Sequence, residues 1–271
     1  MDRSKHERRR ITSKLTDATL TTGGTPEGLE YSAVAMMPDV RVLKIGGQSV
    51  MDRGRAALYP ILDEVKAAKD EHKLLLCCGG GTRARHIYAV ASDLELPTGV
   101  LAALGGYVPR QNARMLQMLL ANHGGLFILH DDFEKLPLYF RLGCIPIMTG
   151  MPPFGYWEKP TKGGRIPEHR TDAGVFLTAE VLGCKRAIFV KDENGLYTDD
   201  PKKNPKAEHI PRITVKELIE RDLPDMIVER VVLEYMQRSR FCTEIQIVNG
   251  LEKGQLTRAL EGEDVGTVIT R

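Results

Sequence analysis

A lysine and two glycines lie together at the end of a predicted buried strand, in the segment Val42–Ser49 with the sequence VLKIGGQS. Lys44 stands inside the apolar run, and a buried lysine is costly unless a negative group meets it. Gly46 and Gly47, followed by Gln48, let the backbone approach a ligand closely and present N–H groups to it. The segment therefore predicts a phosphate cradle. A strand-end turn whose lysine reaches solvent has the same residue pattern, so this segment alone leaves both interpretations open.

A second apolar run also ends in glycines, at Gly79, Gly80 and Gly81. Three consecutive glycines form an open backbone nest, and the N-terminus of a following helix adds partial positive charge that attracts an anion. Arg83 and Arg85 stand at the start of that helix, where their guanidinium groups are suited to anionic oxygens. A tight connection with surface arginines is the alternative. Two such turns at two strand ends favour an anion site.

An aspartate follows later at the start of another predicted helix. Asp172 comes directly after Thr171, and either residue is a good N-cap for that helix. An aspartate near a polyphosphate also places Mg²⁺, which prefers hard oxygen ligands. The sequence predicts that Asp172 caps the helix, serves the anion site, or does both.

A polar segment after the next predicted strand is suited to a nucleotide base and ribose. The Asn-Gly pair at 194–195 is a strong turn signal. A solvated hairpin would have the same composition. The residues predicted to bind the nucleotide here are Lys191, Asn194, Gly195, Tyr197, Asp200 and Pro201.

Apolar runs alternate with helical patterns from Val40 onward, and this order positions the glycine turns. Strands are predicted at Val40–Ile45, Lys73–Cys78, Gly125–Leu129, Cys144–Met148, Ala187–Val190, Glu244–Val248 and Val265–Ile269. Helices are predicted at Arg53–Lys69, Arg83–Leu94, Arg110–Asn122 and Asp172–Leu182. The alternation predicts an α/β fold with a mainly parallel sheet and helices on both faces. Ligands of such sheets bind beyond the carboxyl ends of the strands.

Composition narrows the class of protein. The chain has 271 residues and a formal net charge of +2, which gives no case for general nucleic-acid binding. Five irregularly spaced cysteines favour reduced core thiols over a disulfide framework. No apolar run approaches the length of a membrane span, and the start lacks the apolar core of a secretory signal, so a cytoplasmic protein is expected. Residues 1–38 are predicted to be a polar extension before a domain at 39–271.

The order of these motifs resembles that of the amino-acid-kinase family, which includes the uridylate kinases. The matching segments are Lys44–Gly47, Gly79–Gly81, Thr171-Asp172, Asn194–Pro201 and Gly266–Ile269. The resemblance implies a three-layer α/β/α sandwich that binds MgATP, with an acidic or phosphorylated acceptor near the glycine turns. A UMP (nucleoside monophosphate) kinase is therefore one functional hypothesis.

The departures from that pattern weigh against a metabolite kinase. In uridylate kinases a lysine stands two residues before the Asp-Gly turn, whereas here Asp192 holds that place and Lys191 lies one position earlier. A one-residue shift at a strand end can turn a side chain to the opposite face. The stretch before Arg110–Asn122 lacks the family's acid, and the loop from Met151 to Arg170 is longer than theirs.

These departures resemble the molybdenum-storage branch of the family, and its β-type subunits more than its α-type. The similar segments are Val42–Val50, Gly81–His86, Met151–Pro153, Arg170–Gly174 and Val248–Leu251. The resemblance implies ATP-dependent storage of molybdate as polyoxomolybdate clusters in a protein cage. That cage is expected to be an (αβ)₃ heterohexamer with an α-type partner, or else a homo-hexamer. ATP, Mg²⁺ and molybdate are the implied ligands, with Lys44 and Asp172 as the candidate catalytic residues for MgATP hydrolysis.

Three histidines are candidates for contact with the metal clusters. Molybdate resembles phosphate in charge and shape, and its condensation consumes protons, which histidine supplies near neutral pH. His86 and His169 lie beside arginines of the motifs. His130 belongs to a predicted strand end, and a strand-end residue without a ligand role is the alternative interpretation there. A third hypothesis is a regulatory module that binds ATP with neither turnover nor metal uptake.

Overall fold

The computed structural model describes residues 33–161, 165–223 and 226–271. The compact unit that contains every element below begins at Ala35 and ends at Arg271. The predicted extension over residues 1–38 lies, up to residue 32, outside the described residues.

A central sheet of eight strands organises this unit. The strands in chain order are β1 (Val40–Ile45), β2 (Lys73–Cys78), β3 (Gly125–Phe127), β4 (Ile145–Thr149), β5 (Arg186–Lys191), β6 (Leu196–Tyr197), β7 (His209–Ile210), β8 (Arg212–Thr214), β9 (Glu244–Asn249) and β10 (Thr267–Thr270). The sheet has the order β3-β4-β2-β1-β5-β9-β10-β8, and β6 pairs with β7 separately. Among the strands that the structure describes in the large sheet, β9 and β10 pair antiparallel and the other neighbours pair parallel.

Helices cover both faces of the sheet. They are α1 (Arg55–Ala68), α2 (Gly81–Asp93), α3 (Thr98–Leu119), α4 (Leu136–Arg141), α5 (Thr171–Leu182), α6 (Val215–Arg221), α7 (Arg230–Arg238) and α8 (Gln255–Leu260). Within the described ranges, none of them combines the length and the apolar character that crossing a bilayer requires.

The two faces of the sheet bury separate hydrophobic cores. Successive side chains of a strand point to opposite faces, so Val42 belongs to the same core as Phe176 of α5, while Leu43 belongs to the core that contains Ile61 of α1. Four of the five cysteines are buried in strands or beside them, at positions 77, 78, 184 and 242, and all five are free thiols. The predicted three-layer α/β/α sandwich with a mainly parallel sheet is confirmed.

The predicted start of the third helix was wrong. β1 and β2 have the predicted bounds, but α3 begins at Thr98 rather than Arg110 and continues through Gly105, Gly106 and Pro109. Such residues usually interrupt helices. Here tertiary packing outweighs propensity, because the missing side chain of Gly105 leaves room for the ring of Tyr88, where a Cβ would lie 2.3 Å from ring carbon Cζ.

This packing predicts opposite effects for two adjacent glycines. Gly105→Ala places a methyl group in the Tyr88 ring and is expected to lower the free energy of unfolding by about 1–3 kcal/mol, as overpacking does. Gly106→Ala places its Cβ no closer than 3.8 Å to a neighbour, the Cγ of Met151. It should gain up to about 1 kcal/mol from helix propensity. Urea unfolding followed by circular dichroism measures both, and equal effects in the two variants would contradict the packing argument.

Candidate functional site

A cleft of about 820 Å³ opens at the carboxyl ends of the central strands. Because β1, β2 and β5 are parallel neighbours, the residues that follow them meet at one edge of the sheet. The turn after β1, the glycine turn after β2 and the end of β5 therefore line the same cleft, together with the N-terminus of α5. This is the edge at which parallel α/β sheets generally bind their ligands.

Two lysines share one buried aspartate on the floor of this cleft. Lys44 forms an ion pair with Asp172 Oδ1, and the Nζ of Lys191 lies 3.6 Å from the same oxygen. The strand register explains the convergence. Lys44 is paired with Phe189, so Lys191, two residues further along β5, points to the same face of the sheet. Lys191 stands one residue before the position of the lysine in uridylate kinases. Its ammonium group nevertheless points into the site.

Asp192 points elsewhere, to the mouth of the cleft. Its Oδ2 accepts hydrogen bonds from Arg53 Nη2 at 2.5 Å and from Lys202 Nζ at 3.1 Å. Arg53 follows β1 and Lys202 lies between β6 and β7, so this cluster of charges links two separate segments of the cleft lining. The pairs are partly exposed, and their contribution to stability is correspondingly small.

The electrostatics of the floor keep Asp172 ionised. Burial raises the pKa of this carboxyl, but the charges of Lys191 and Lys44 outweigh burial and bring the pKa to about 2. Burial lowers the pKa of Lys191, against the charge of Asp172, which raises it. Two ammonium groups thus converge on this part of the cleft, with the carboxylate of Asp172 between them. Such an arrangement is suited to phosphate oxygens and to the charge that develops in phosphoryl transfer.

A glutamate that the sequence analysis missed holds the start of α5. The carboxylate of Glu229 accepts hydrogen bonds from the backbone N–H groups of Arg170, Asp172 and Ala173, at 3.1, 3.2 and 3.0 Å. The N–H of Glu229 in turn donates to Asp172 Oδ2 at 3.2 Å. Thr171 and Asp172 were predicted as N-caps, but neither side chain caps the helix. A cap supplied from 57 residues away leaves no local sequence signal.

The backbones of the glycine turn after β1 and the glycine turn after β2 are in direct contact. A Cβ on Gly47 would lie 2.1 Å from the N of Gly81, and one on Gly79 would lie 2.5 Å from the N of Gly47. The glycines are therefore required by the contact between the turns, as well as by any ligand. At the start of α2, Asp52 Oδ2 accepts a hydrogen bond from the N–H of Thr82 at 2.5 Å, so part of this helix terminus is already occupied by a carboxylate.

Most residues predicted to bind the nucleotide line the cleft. The lining includes Lys44, Gly46, Gly47, Gln48, Gly79, Gly80, Gly81, Arg85, Asp172, Lys191, Gly195, Tyr197, Asp200 and Pro201. Arg83 does not, because its guanidinium group turns to Asn112 and Gln111 of α3. Asn194 is also outside the lining, with its Oδ1 accepting a hydrogen bond from Asn249 Nδ2 at 2.9 Å.

The three candidate histidines lie in separate places. His169 is buried with its Nδ1 2.6 Å from Glu158 Oε1, and it stacks on the ring of Tyr235. His130 Nε2 lies 3.1 Å from the carbonyl oxygen of Met151, and burial lowers the pKa of His130. His86 lines a small groove between α2 and α3, outside the cleft. No group of three or more histidine, cysteine or acidic side chains with metal-binding geometry occurs among the residues that the structure describes.

The donor set at the cleft fits Mg²⁺ only as a companion of the nucleotide. Asp172 already has both lysines on Oδ1 and the N–H of Glu229 on Oδ2. Mg²⁺ keeps several waters and binds through substrate phosphates with few protein ligands. Asp172 is thus placed to hold the two lysines rather than to serve as a dedicated metal ligand.

Comparison with known proteins agrees with this geometry. The family model described as the amino acid kinase family matches residues 39–249. The molybdenum storage protein subunit beta of Azotobacter vinelandii is 49% identical over 264 residues, covering 96% of this chain and 98% of the relative. A uridylate kinase of Thermococcus kodakarensis is 29% identical over 237 residues, covering 81% and 98%.

Solved structures support the fold alone. The uridylate kinase of Archaeoglobus fulgidus has a TM-score of 0.65 and 21% identity, covering 85% of this chain and 100% of that one. The UMP kinase of Bacillus anthracis has a TM-score of 0.66 and 17% identity, covering 86% and 96%.

The shared aspartate makes a testable prediction about stability. Asp172→Asn leaves two cations near a neutral buried amide, so the free energy of unfolding at pH 7 should fall by about 3 kcal/mol. The pKa of Asp172 is lowered from 3.8 to about 2 in the folded protein. Its contribution is therefore present above pH 4 and lost as pH falls toward 2, so the difference between the two proteins should narrow over that range.

Asp63→Asn is the matched control, because Asp63 pairs with Lys66 on the exposed face of α1. Its effect should stay within about 0.5 kcal/mol at every pH. Urea unfolding from pH 2 to pH 7 measures all three proteins. A constant offset between wild type and Asp172→Asn across that range would refute the ion-pair assignment.

Proposed function

Because the chain belongs to the amino acid kinase family, we propose that it is a subunit of an ATP-dependent molybdate store, in which molybdate accumulates as polyoxomolybdate clusters. The observation that carries the proposal is the 49% identity, over nearly the full length of both chains, to a molybdenum storage protein subunit beta. The similarity to uridylate kinases is far lower and covers less of the chain.

The cleft supports the nucleotide part of this proposal. ATP phosphates would meet the ammonium groups of Lys44 and Lys191, with the backbone of the glycine turns beside them. The base and ribose would lie toward Tyr197 and Pro201, which also line the cleft. Mg²⁺, carried by the nucleotide, would neutralise phosphate charge. Asp172 holds the lysines that contact the phosphates.

The cargo part of the proposal rests on the chemistry of oxoanions. Molybdate is a tetrahedral dianion, and groups that bind phosphate can also bind it. His86, His130 and His169 remain the proposed contacts for the clusters, although they do not converge within this chain. We therefore propose a hexameric cage in the cytoplasm in which a homologous α-type subunit, or further copies of this chain, supplies the other contacts.

Metal uptake tests the proposal directly. The purified assembly is incubated with molybdate, with and without MgATP, and molybdenum per chain is measured by elemental analysis after desalting. We expect tens of atoms per chain with MgATP and at least tenfold fewer without it. Bound metal that never exceeds a few atoms per chain, with the α-type partner present as well as absent, would refute storage.

Replacing a lysine of the cleft links uptake to the site. Lys191→Met should reduce ATP-dependent uptake at least tenfold, because it removes one of the two cations that face the nucleotide. Lys185→Met is the control, since Lys185 is exposed and pairs with Glu244 at the start of β9, away from the cleft. Equal molybdenum uptake by both variants would show that uptake does not depend on this cleft.

A UMP kinase is the second candidate, favoured by the direction of Lys191 into the cleft. It predicts ADP formation from MgATP that depends on added UMP and is lost in Lys44→Met. A coupled assay of ADP release, with molybdate replacing UMP in a parallel reaction, distinguishes the two functions.

A further inference from the structure

Glu229 and the two residues before it contact both ends of the charged group on the floor of the cleft. The Glu229 carboxylate binds three N–H groups at the start of α5, and its N–H binds Asp172 Oδ2. Two residues earlier, the carbonyl oxygen of Ile227 accepts a hydrogen bond from Lys191 Nζ at 2.9 Å. This short segment, Ile227–Glu229, therefore fixes the aspartate and one of its lysines together.

The geometry leaves Asp172 with one orientation. Its Oδ1 takes Lys44 and Lys191, while its Oδ2 takes the N–H of Glu229. Rotation of the carboxylate would break at least one of these contacts. A shift of the backbone at the start of α5 would break the hydrogen bonds to the side chain of Glu229, which is 8% exposed.

We propose that Glu229 is a positioning residue of the cleft, which holds Asp172 so that Lys44 and Lys191 both face the bound anion. Glu229 lines the cleft, but its carboxylate is taken up by the start of α5 and its N–H by Asp172, so it acts through Asp172. The effect on MgATP turnover rests on the proposed function, whereas the effect on the lysines belongs to the nucleotide-free protein.

The charge of Glu229 also affects the pKa of Lys191, in addition to the contacts that Glu229 makes. Burial lowers the pKa of Lys191, and the groups that face this lysine are Asp172 on α5, Lys44 on β1 and Glu229 before α7. Asp172 and Glu229 raise the pKa of Lys191, and Lys44 lowers it. Loss of the Glu229 charge should therefore let Lys191 lose its proton at a lower pH.

A glutamate within α5 itself, Glu180, provides a matched control. Glu180 also accepts hydrogen bonds from three backbone N–H groups, those of Arg240, Phe241 and Cys242. It stands near the opposite end of α5 and does not line the cleft. Glu180→Gln thus removes the same kind of carboxylate cap without touching the charged group.

The first experiment needs no nucleotide. The assembled protein is pulsed with an amine-acylating reagent from pH 7 to pH 11, and modification of Lys191 is quantified by peptide mass spectrometry. In Glu229→Gln the midpoint should fall by at least about 0.5 pH unit, the scale of a nearby charge effect. In Glu180→Gln it should remain that of the wild type. The same midpoint in all three proteins would overturn the proposal.

The second experiment separates position from charge. Glu229→Asp keeps the charge but shortens the side chain, so the Lys191 midpoint should stay near that of the wild type. The kcat for MgATP hydrolysis during molybdate loading should fall about tenfold, with KM changed less than threefold. This is the result expected when the misplaced lysines stabilise the transition state less but substrate binding is nearly unchanged. Wild-type kcat in Glu229→Asp would contradict a positioning role. A wild type without MgATP-dependent turnover would instead refute the proposed function, while the acylation result still decides the role of Glu229.

Discussion

The buried group of Lys44, Asp172 and Lys191 is the constraint on which the rest of the site depends. Two ammonium groups at the end of a buried sheet are tolerated only if a carboxylate lies between them. That requirement fixes the start of α5 over the ends of β1 and β5. It also requires the side chains of both strands to point to the same face, which the parallel register of β1 and β5 provides.

The glycine turns allow a close contact between two backbone segments at the same edge of the sheet. The backbones after β1 and β2 approach so closely that a Cβ at Gly47 or Gly79 would overlap the neighbouring turn. The result is a cleft lined by charged side chains and by the backbone of the two glycine turns. The carboxylates of Asp52 and Glu229 meet the first N–H groups of α2 and α5, so these helix termini are stable before any ligand arrives.

The sequence was sufficient for the features whose cause is local. A lysine inside an apolar run, followed by glycines, predicted Lys44 and the end of β1. Lys191 was harder, because its direction depends on the register between β1 and β5 rather than on its position beside Asp192. Glu229 could not be found, because its partners at the start of α5 are distant in sequence. The true length of α3 was hidden for the same reason, since the fit of Gly105 against Tyr88 is a tertiary contact.

Two sets of residues from different elements line the cleft. This explains why members of one family can differ in the acceptor molecule that they use. The groups suited to ATP phosphates come from β1, β5 and α5, the central elements of the fold. A second set of lining residues comes from other elements: Arg85 and Tyr88 of α2, Gly105 of α3, and Met151 and Arg170 at the ends of the long loop. Two of the departures from the uridylate kinase pattern, the stretch before Arg110 and the long loop, fall in this second set. The third, at Lys191 and Asp192, leaves the Lys191 ammonium group beside Asp172. A change of acceptor from a nucleotide to an inorganic oxoanion can therefore evolve there without disturbing the ion pairs that hold the sheet and α5 together.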